Sequence, residues 1–475
     1  MPPVPPAPGA TSATRAADPA AAGHEREMAA YRAAVDGLSL RGRYGIRLGL
    51  GRTRGLLREL GQPQLSFGGA LIGGTNGKGS VQALVGAMLA RAGYRVGQTP
   101  KPHLIEYRER ILVGGEQIAP ADFARLIDEV LVAADRVRGR LGPPTEFELL
   151  TAAAFTWFAR SRVDLAVVEV GLGGRLDSTN VWDGGVAAIT NVSYDHMDRL
   201  GPTLTDIARE KAAIIKRGDR AVTGASGEGL VVIRRRARRM GVALREVAPL
   251  PVIAQDRRGL LVAHDTLGEV RLGLLGRHQA ANAAVALAVV DGLEEAGLAS
   301  VAPDARRAGL AEARWPGRLE LLTVRTPEAP ESPAVEVVLD GAHNEAGVGA
   351  LLDALAELRP HLAPGRVTLL FGLMADKDVG AIASRLAGHS ALRGAAIVTT
   401  QALSARALAA ADLADALRRA APGADVHPVV PAEAALRVVL EHARREAGPL
   451  VVAGSLYLVG QVRGLLSAAA DPQGG

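Results

Sequence analysis

A glycine-rich stretch, Leu71-Ile-Gly-Gly-Thr-Asn-Gly-Lys-Gly-Ser80, carries the residue types that cradle a phosphate. Gly74, Gly77 and Gly79, with Thr75 and Asn76 between them, let backbone N–H groups approach phosphate oxygens with no Cβ in the way. Lys78 can reach the β- and γ-phosphates, and Ser80 can contact phosphate or Mg²⁺. The apolar "ALIGG" reads as a strand, and "VQALVGAMLARAGY" has helical spacing ending in Gly93. A helix N-terminus here adds a favourable dipole. A purely structural glycine turn is the competing reading, but Lys and Ser in register between strand and helix favour ATP.

Three more residues have types that suit the same chemistry. Glu169 sits inside "DLAVVEVGLGG", and a carboxylate in an apolar strand is costly unless paired, protonated or coordinated. His196 follows the next apolar run, flanked by Asp195 and Asp198. Strand ends are where open α/β sheets bind ligands, so Mg²⁺–ATP accounts for both residues, with Ser80 as a third contact. The plainer alternatives are a Glu paired with a core Arg and a structural His.

In "TLTDIAREKAAIIKRG", Thr203 with Asp206 resembles a helix cap and Gly218 a helix end. Leu204, Ile207, Lys211 and Ile214 recur at helical spacing, which places Lys211 on the apolar stripe. Either its stem snorkels, or its amine is desolvated and neutral enough to react.

The elements that position these residues alternate along the chain. Apolar runs at Ala70–Gly73, Asp164–Val170, Val186–Val192 and Arg220–Gly224 read as parallel strands covered on both faces. A second set follows at Val335–Leu339, Arg366–Phe371, Ala395–Thr400 and Leu450–Ala453. Glu25 to about Leu60 reads as helix and loop, and Thr326–Pro333 as a surface loop.

A chain of 475 residues exceeds one core, so two α/β domains in sequence are expected. Their boundary falls near Arg314-Trp-Pro-Gly317, giving residues 1–24 as a disordered Pro/Ala-rich tail, 25–313 as the phosphate-loop domain and 314–475 as a smaller one.

Composition narrows the function. Aromatics make up 3% of the chain, which argues against base-stacking nucleic-acid platforms. A net charge of +5 favours anionic partners weakly. Without cysteine there is no thiolate metal site and no Cys nucleophile. Neither a membrane-length apolar run nor a secretory signal is evident, so a cytoplasmic protein is expected.

Ten collinear segments then resemble the Mur ligase superfamily, and within it the dihydrofolate synthase/folylpolyglutamate synthase family. They are "GGTNGKGS", "PHLIEYRERI", "TEFELLTAAAF", "EVGLGGRLDSTN", "DHMDRLGPTLTDIAREKAAIIK", "GRHQAANAAVALA", "WPGRLE", "LDGAHN", "DKD" and "GSLYLVG". The resemblance implies a phosphate-loop ATPase domain followed by a Rossmann-like α/β domain.

It also implies a ligase that phosphorylates a carboxylate and lets the amine of L-glutamate displace the phosphate, releasing ADP. The acid would be dihydropteroate, a reduced folate, or both. By the same resemblance Lys78 neutralises phosphate charge, and Glu169 and His196 hold Mg²⁺. Lys211 corresponds to a carbamylated lysine. Asn282, Arg318 and Asp340 meet the nucleotide, and His343 falls beside the same cleft. Thr145, Glu146, Phe147, Glu148, Leu176, Asp177 and Ser178 lie near the pterin end. K⁺ is a further cation the family allows, and a monomer without nucleic-acid or membrane partners is expected. One departure is Lys101, at a position where the family typically has a metal-side Ser.

Three other readings compete, one of them a catalytically silent, ligand-binding relative, motivated only by Lys101. A peptidoglycan-precursor ligase of the same superfamily is disfavoured by the short stretch ahead of Gly74. A nucleic-acid-associated ATPase rests on Arg234-Arg-Arg-Ala-Arg-Arg239, whose arginines spread around a helix.

Overall fold

The computed structural model describes residues 19–42, 47–325 and 332–469. Residues 1–18 of the expected tail and residues 326–331 of the Pro-rich loop lie outside them. A helix at Pro19–Gly42 takes in residues 19–24, which the sequence reading assigned to the tail.

Eight strands build the first sheet: β1 (Gly68–Gly73), β2 (Val96–Thr99), β3 (Leu112–Val113), β4 (Glu116–Gln117), β5 (Leu165–Glu169), β6 (Gly185–Ile189), β7 (Arg220–Thr223) and β8 (Leu244–Glu246). Their order is β4-β3-β2-β5-β1-β6-β7-β8. β1 lies at the centre, parallel to β5 and β6, with Ile72 opposite Glu169 and Gly73 opposite Ile189. The carboxyl ends of three strands therefore finish side by side, and the loops leaving them share one edge.

The central strands are apolar throughout because both faces are covered. Leu71, Ala166 and Val168 point into the core beneath helices Pro120–Leu141 and Glu146–Arg160. Ala70, Ile72, Leu165 and Val167 point the other way, under helices Lys78–Arg91 and His278–Glu295. A three-stranded antiparallel sheet, β9 (Val252–Asp256), β10 (Gly259–His264) and β11 (Gly268–Leu272), adds Leu260 and Val262 to that second core. The sequence reading did not anticipate it.

The second large sheet has six strands: β12 (Glu320–Val324), β13 (Val335–Leu339), β14 (Thr368–Phe371), β15 (Ala396–Thr399), β16 (Asp425–Pro428) and β17 (Leu450–Ala453). The order is β12-β13-β17-β14-β15-β16, with β12 antiparallel and the rest parallel. Helices Glu345–Leu358 and Ala410–Ala420 cover one face, and Ala432–Arg445 and Leu456–Ala469 the other. Among the described residues, no helix is long and apolar enough to cross a membrane.

Candidate active site between the two sheets

β1 ends at Gly73 and the helix after it begins at Lys78, so the glycine stretch forms a tight strand-to-helix turn. The segment leaving β6 fixes that turn. Asn76 N–H donates to Asn191 Oδ1 (3.0 Å), Thr75 N–H to the Asn191 carbonyl (3.1 Å), and Thr190 Oγ1 to the Asn76 carbonyl (2.6 Å). A Cβ on Gly74 would lie 1.9 Å from Thr190 Oγ1, and one on Gly77 would lie 2.2 Å from Asn282 Oδ1. Gly77 also has φ 81°, a left-handed backbone that suits glycine. These two glycines are demanded by protein neighbours as well as by any phosphate.

Lys78 curls back over the turn, donating to the carbonyls of Gly74 (3.1 Å) and Thr75 (3.0 Å). Burial lowers its pKa, opposed by Glu169 and Asp195. Behind the turn, Lys211 is 4% exposed and donates to the same Gly74 carbonyl at 2.9 Å. Burial, reinforced by Lys78, brings its amine down to about 7. The desolvated lysine read from the apolar stripe is therefore present. Its helix, Leu204–Ala212, stops well before Gly218. Ile214 and Ile215 keep the apolar rhythm because they are buried in the core beyond the helix end. Thr203 caps the helix as expected, accepting from Asp206 N–H at 3.2 Å.

Glu169, the last residue of β5, is 4% exposed. Burial pushes its carboxyl pKa up, against Lys78 and Lys101. His196 follows β6 with φ 50°, and its N–H donates to Asp195 Oδ1 at 2.9 Å. Burial lowers the imidazole pKa, partly offset by Asp195. Asp195 also reaches Lys377 of the second sheet's domain, at 3.6 Å. Asp198 pairs with Arg199. Ser80 Oγ accepts from Gln279 Nε2 at 3.3 Å. Glu169, His196 and Ser80 all line one cleft of about 810 Å³ between the two large sheets. One carboxylate, one imidazole and one hydroxyl suit Mg²⁺, which keeps most of its ligands as water.

Arg318, Asp340 and His343 enter that cleft from the other side. Asp340 accepts from the N–H groups of Leu319 (2.7 Å) and Ala342 (2.8 Å). Burial raises its pKa, while Arg318 opposes the rise. His343 Nδ1 lies 2.7 Å from the Gly341 carbonyl, so the ring's proton sits there and Nε2 is left as an acceptor. Burial depresses this imidazole to about 4.

Thr75, Asn76, Gly77, Lys78, Gly79 and Ser80 line the cleft, as does Asn282. Thr145, Glu146, Phe147, Leu176, Asp177 and Ser178 line it too. Gly74 and Lys211 stand behind the wall. Glu148 is a correction to the sequence reading, because it faces the interior. Its Oε2 accepts from Thr145 N–H (2.7 Å) and Arg52 Nε (3.0 Å), closing a capping box at the start of the helix Glu146–Arg160. Asp177 is also structurally committed, accepting from Gly171, Leu172 and Thr179 N–H groups at 2.9–3.0 Å.

Sequence reasoning missed Thr190 and Asn191, which tie the loop, and Lys377, which bridges the domains. The Asn in "AAITNVSYDH" was a polar residue just past an apolar strand, a signal that could have marked it. In the arginine run, Arg234 pairs with Glu246 and Arg236 donates to the Ile215 carbonyl. Lys101 Nζ donates to the Glu169 carbonyl at 2.8 Å, and burial brings it to about 8, against Asp177 and Glu169.

Residues 123–290 match the Mur ligase middle domain, and residues 317–456 match the Mur ligase glutamate ligase domain. The dihydrofolate synthase/folylpolyglutamate synthase of Bacillus subtilis (strain 168) is 36% identical over 367 residues, covering 75% of this chain and 83% of that protein. A structure of Mycobacterium tuberculosis folylpolyglutamate synthase complexed with ADP and AMPPCP has a TM-score of 0.81 at 32% identity, covering 94% of this chain and 100% of that one. Escherichia coli FolC in complex with DHPP and ADP has a TM-score of 0.75 at 28% identity, covering 92% and 98%. A relative 36% identical and covered over 83% of its length, with a matching fold across 94% of this chain, shows that the chain belongs to the dihydrofolate synthase/folylpolyglutamate synthase family.

Proposed function

We propose that this chain is an ATP-dependent ligase joining L-glutamate to a folate-type acid, dihydropteroate or the γ-carboxylate of a reduced folate. The observation carrying this reading is convergence. The phosphate turn, the Glu169–His196 pair and the Arg318–Asp340–His343 group face one cleft from two domains.

A carboxylate is a poor electrophile, so it is first phosphorylated. One substrate oxygen attacks the γ-phosphorus, the bond to the bridging oxygen breaks and ADP leaves. The α-amine of glutamate then attacks the acyl carbon. The C–O bond to phosphate breaks, and the amine's proton passes to solvent. Mg²⁺, when bound, supplies charge neutralisation for the phosphates, and Glu169, His196 and Ser80 are the residues that would hold it.

The other roles belong to this chain's own groups. Lys78, released from the Gly74 and Thr75 carbonyls, turns its ammonium to the transferring phosphoryl group. Arg318, Asp340 and Asn282 position the nucleotide. His343 Nε2 accepts a hydrogen bond from the incoming amine and orients it. Lys211 is the amine that adds to CO₂, losing a proton and leaving a carbamate on the metal side.

We place the domain division between the helix ending at Glu312 and β12, and take the enzyme to act as a cytoplasmic monomer. K⁺ adds to the cation requirement.

The test is incubation with ATP, Mg²⁺ and glutamate, plus dihydropteroate or a reduced folate. A mass increase of one glutamyl unit with stoichiometric ADP supports the reading. No adduct with either acid overturns it.

A further inference from the structure

Lys101 occupies a position that the reaction as described does not use. It lies on the wall shared by the main cleft and a second cavity of about 450 Å³, bounded by Leu104, Ile105, Trp315 and Pro316. Its Nζ donates to the Glu169 carbonyl at 2.8 Å and sits 4.5 Å above the Phe147 ring. Its backbone N–H donates to Glu169 Oε2 at 3.2 Å. Among the described residues, no carboxylate lies within ion-pair distance of the ammonium. An ammonium has three donors, and here one neutral acceptor and one aromatic face engage them. Water and an incoming anion are what remain.

The neighbours say which anion. Phe147, Leu176 and Ser178 line the cleft and are the residues assigned to the acid substrate, while Glu169 and Lys78, in the same lining, are those assigned to metal and phosphate. Lys101 touches a residue of each group, Glu169 through its carbonyl and Phe147 through its ring, so an acid held against Phe147 brings its carboxylate towards this ammonium.

Resting on the ligase reading above, we propose that Lys101 contacts substrate. Its ammonium holds the carboxylate of the acid and then an oxygen of the acyl phosphate formed from it. A fixed positive charge hydrogen-bonded to Glu169 also repels a second divalent ion, so this chain binds one metal ion beside Glu169. Lys101 is thus a specificity-determining residue, built into the protein where a second dissociable cation could otherwise sit.

Two equilibrium measurements test this on the full chain. The first is dihydropteroate binding, followed by pterin fluorescence with AMPPCP present and EDTA added. The second is Mn²⁺ stoichiometry by electron paramagnetic resonance, without acid. Lys101→Met keeps the length and removes the charge. It is expected to weaken dihydropteroate binding about tenfold or more, as for a lost charge-assisted hydrogen bond, with AMPPCP affinity unchanged. Lys101→Arg should retain binding to within about threefold of wild type. Lys101→Ser, which serves if the Met variant misfolds, should lose acid binding and gain a second Mn²⁺.

Unchanged acid affinity in folded Lys101→Met or Lys101→Ser overturns the assignment. So does a second Mn²⁺ in the wild-type protein. Wild-type protein that binds no acid and forms no glutamyl adduct removes the ligase reading itself. Wild-type ligation with acid affinity indifferent to Lys101 removes this inference alone.

Discussion

Lys78 and Lys211 converge on a single acceptor, the carbonyl oxygen of Gly74, at 3.1 and 2.9 Å. Burial lowers the pKa of both amines, and the charge of Lys78 adds to the lowering at Lys211. Lys211 is brought down to about 7. A neutral amine beneath a phosphate turn is the form that CO₂ needs.

Replacing Lys211 with Ala should therefore lower ligation about a hundredfold or more, with partial recovery when formate or acetate fills the vacated space. Steady-state rates with and without the added acids measure this. Turnover at the wild-type level in the Ala variant contradicts the role given to Lys211.

The same lysine should shape stability against pH. The native amine is neutral above about 7, whereas the unfolded one stays protonated up to 10.5. The unfolded chain then binds more protons across that window, so this group's penalty is full below 7 and fades as pH rises. Lys211→Met should raise the Tm most at and below pH 7, in protein freed of CO₂ and nucleotide. A Tm difference constant from pH 6 to pH 10 argues against a buried, titrating amine here.

Glu169 gives the matching trade. Burial raises its pKa, so the native carboxyl holds its proton more tightly than the unfolded one, and its ionisation destabilises the fold as pH rises past 4.5. Glu169→Gln should raise stability at neutral pH by about 1 kcal/mol while reducing Mg²⁺-dependent turnover about a hundredfold. Calorimetry and a Mg²⁺ titration of the rate check both halves. A normal Mg²⁺ response in the variant removes Glu169 from the metal site.

For Glu148 the expectation is reversed. It is 2% exposed and holds Arg52 and the Thr145 cap, so Glu148→Ala should cost about 3 kcal/mol in urea unfolding. At temperatures where the variant is folded, its KM for the acid should change by less than about threefold. A KM raised tenfold or more with stability intact indicates direct substrate contact instead.

Much of the central architecture was legible because parallel strands buried on both faces are apolar end to end. β1, β5, β6, β7, β13, β14, β15 and β17 stand out for that reason. The edges did not: Glu116–Gln117 and Asp425–Pro428 are short and polar, since edge strands face solvent on one side. The β9–β11 sheet escaped notice because only Leu260, Val262, Val270 and Leu272 of its side chains are deeply buried.

At the site, Lys211 was legible as a cation on an apolar stripe, and Glu169 as a carboxylate in a buried strand. Glu148 was misread because "TEFE" writes a capping box and a pocket rim in the same four letters. Thr190 and Asn191 escaped because their work is to pin a distant turn; the place of Asn191 just past an apolar strand marks it as a candidate but does not name that partner.

The most direct measurement uses dihydropteroate labelled with ¹⁸O in its carboxylate, incubated with ATP, Mg²⁺ and glutamate. If an acyl phosphate forms in the cleft, the released phosphate carries one ¹⁸O atom for each glutamyl adduct, and the nucleotide product is ADP. Adduct accompanied by unlabelled phosphate, or by AMP, contradicts it.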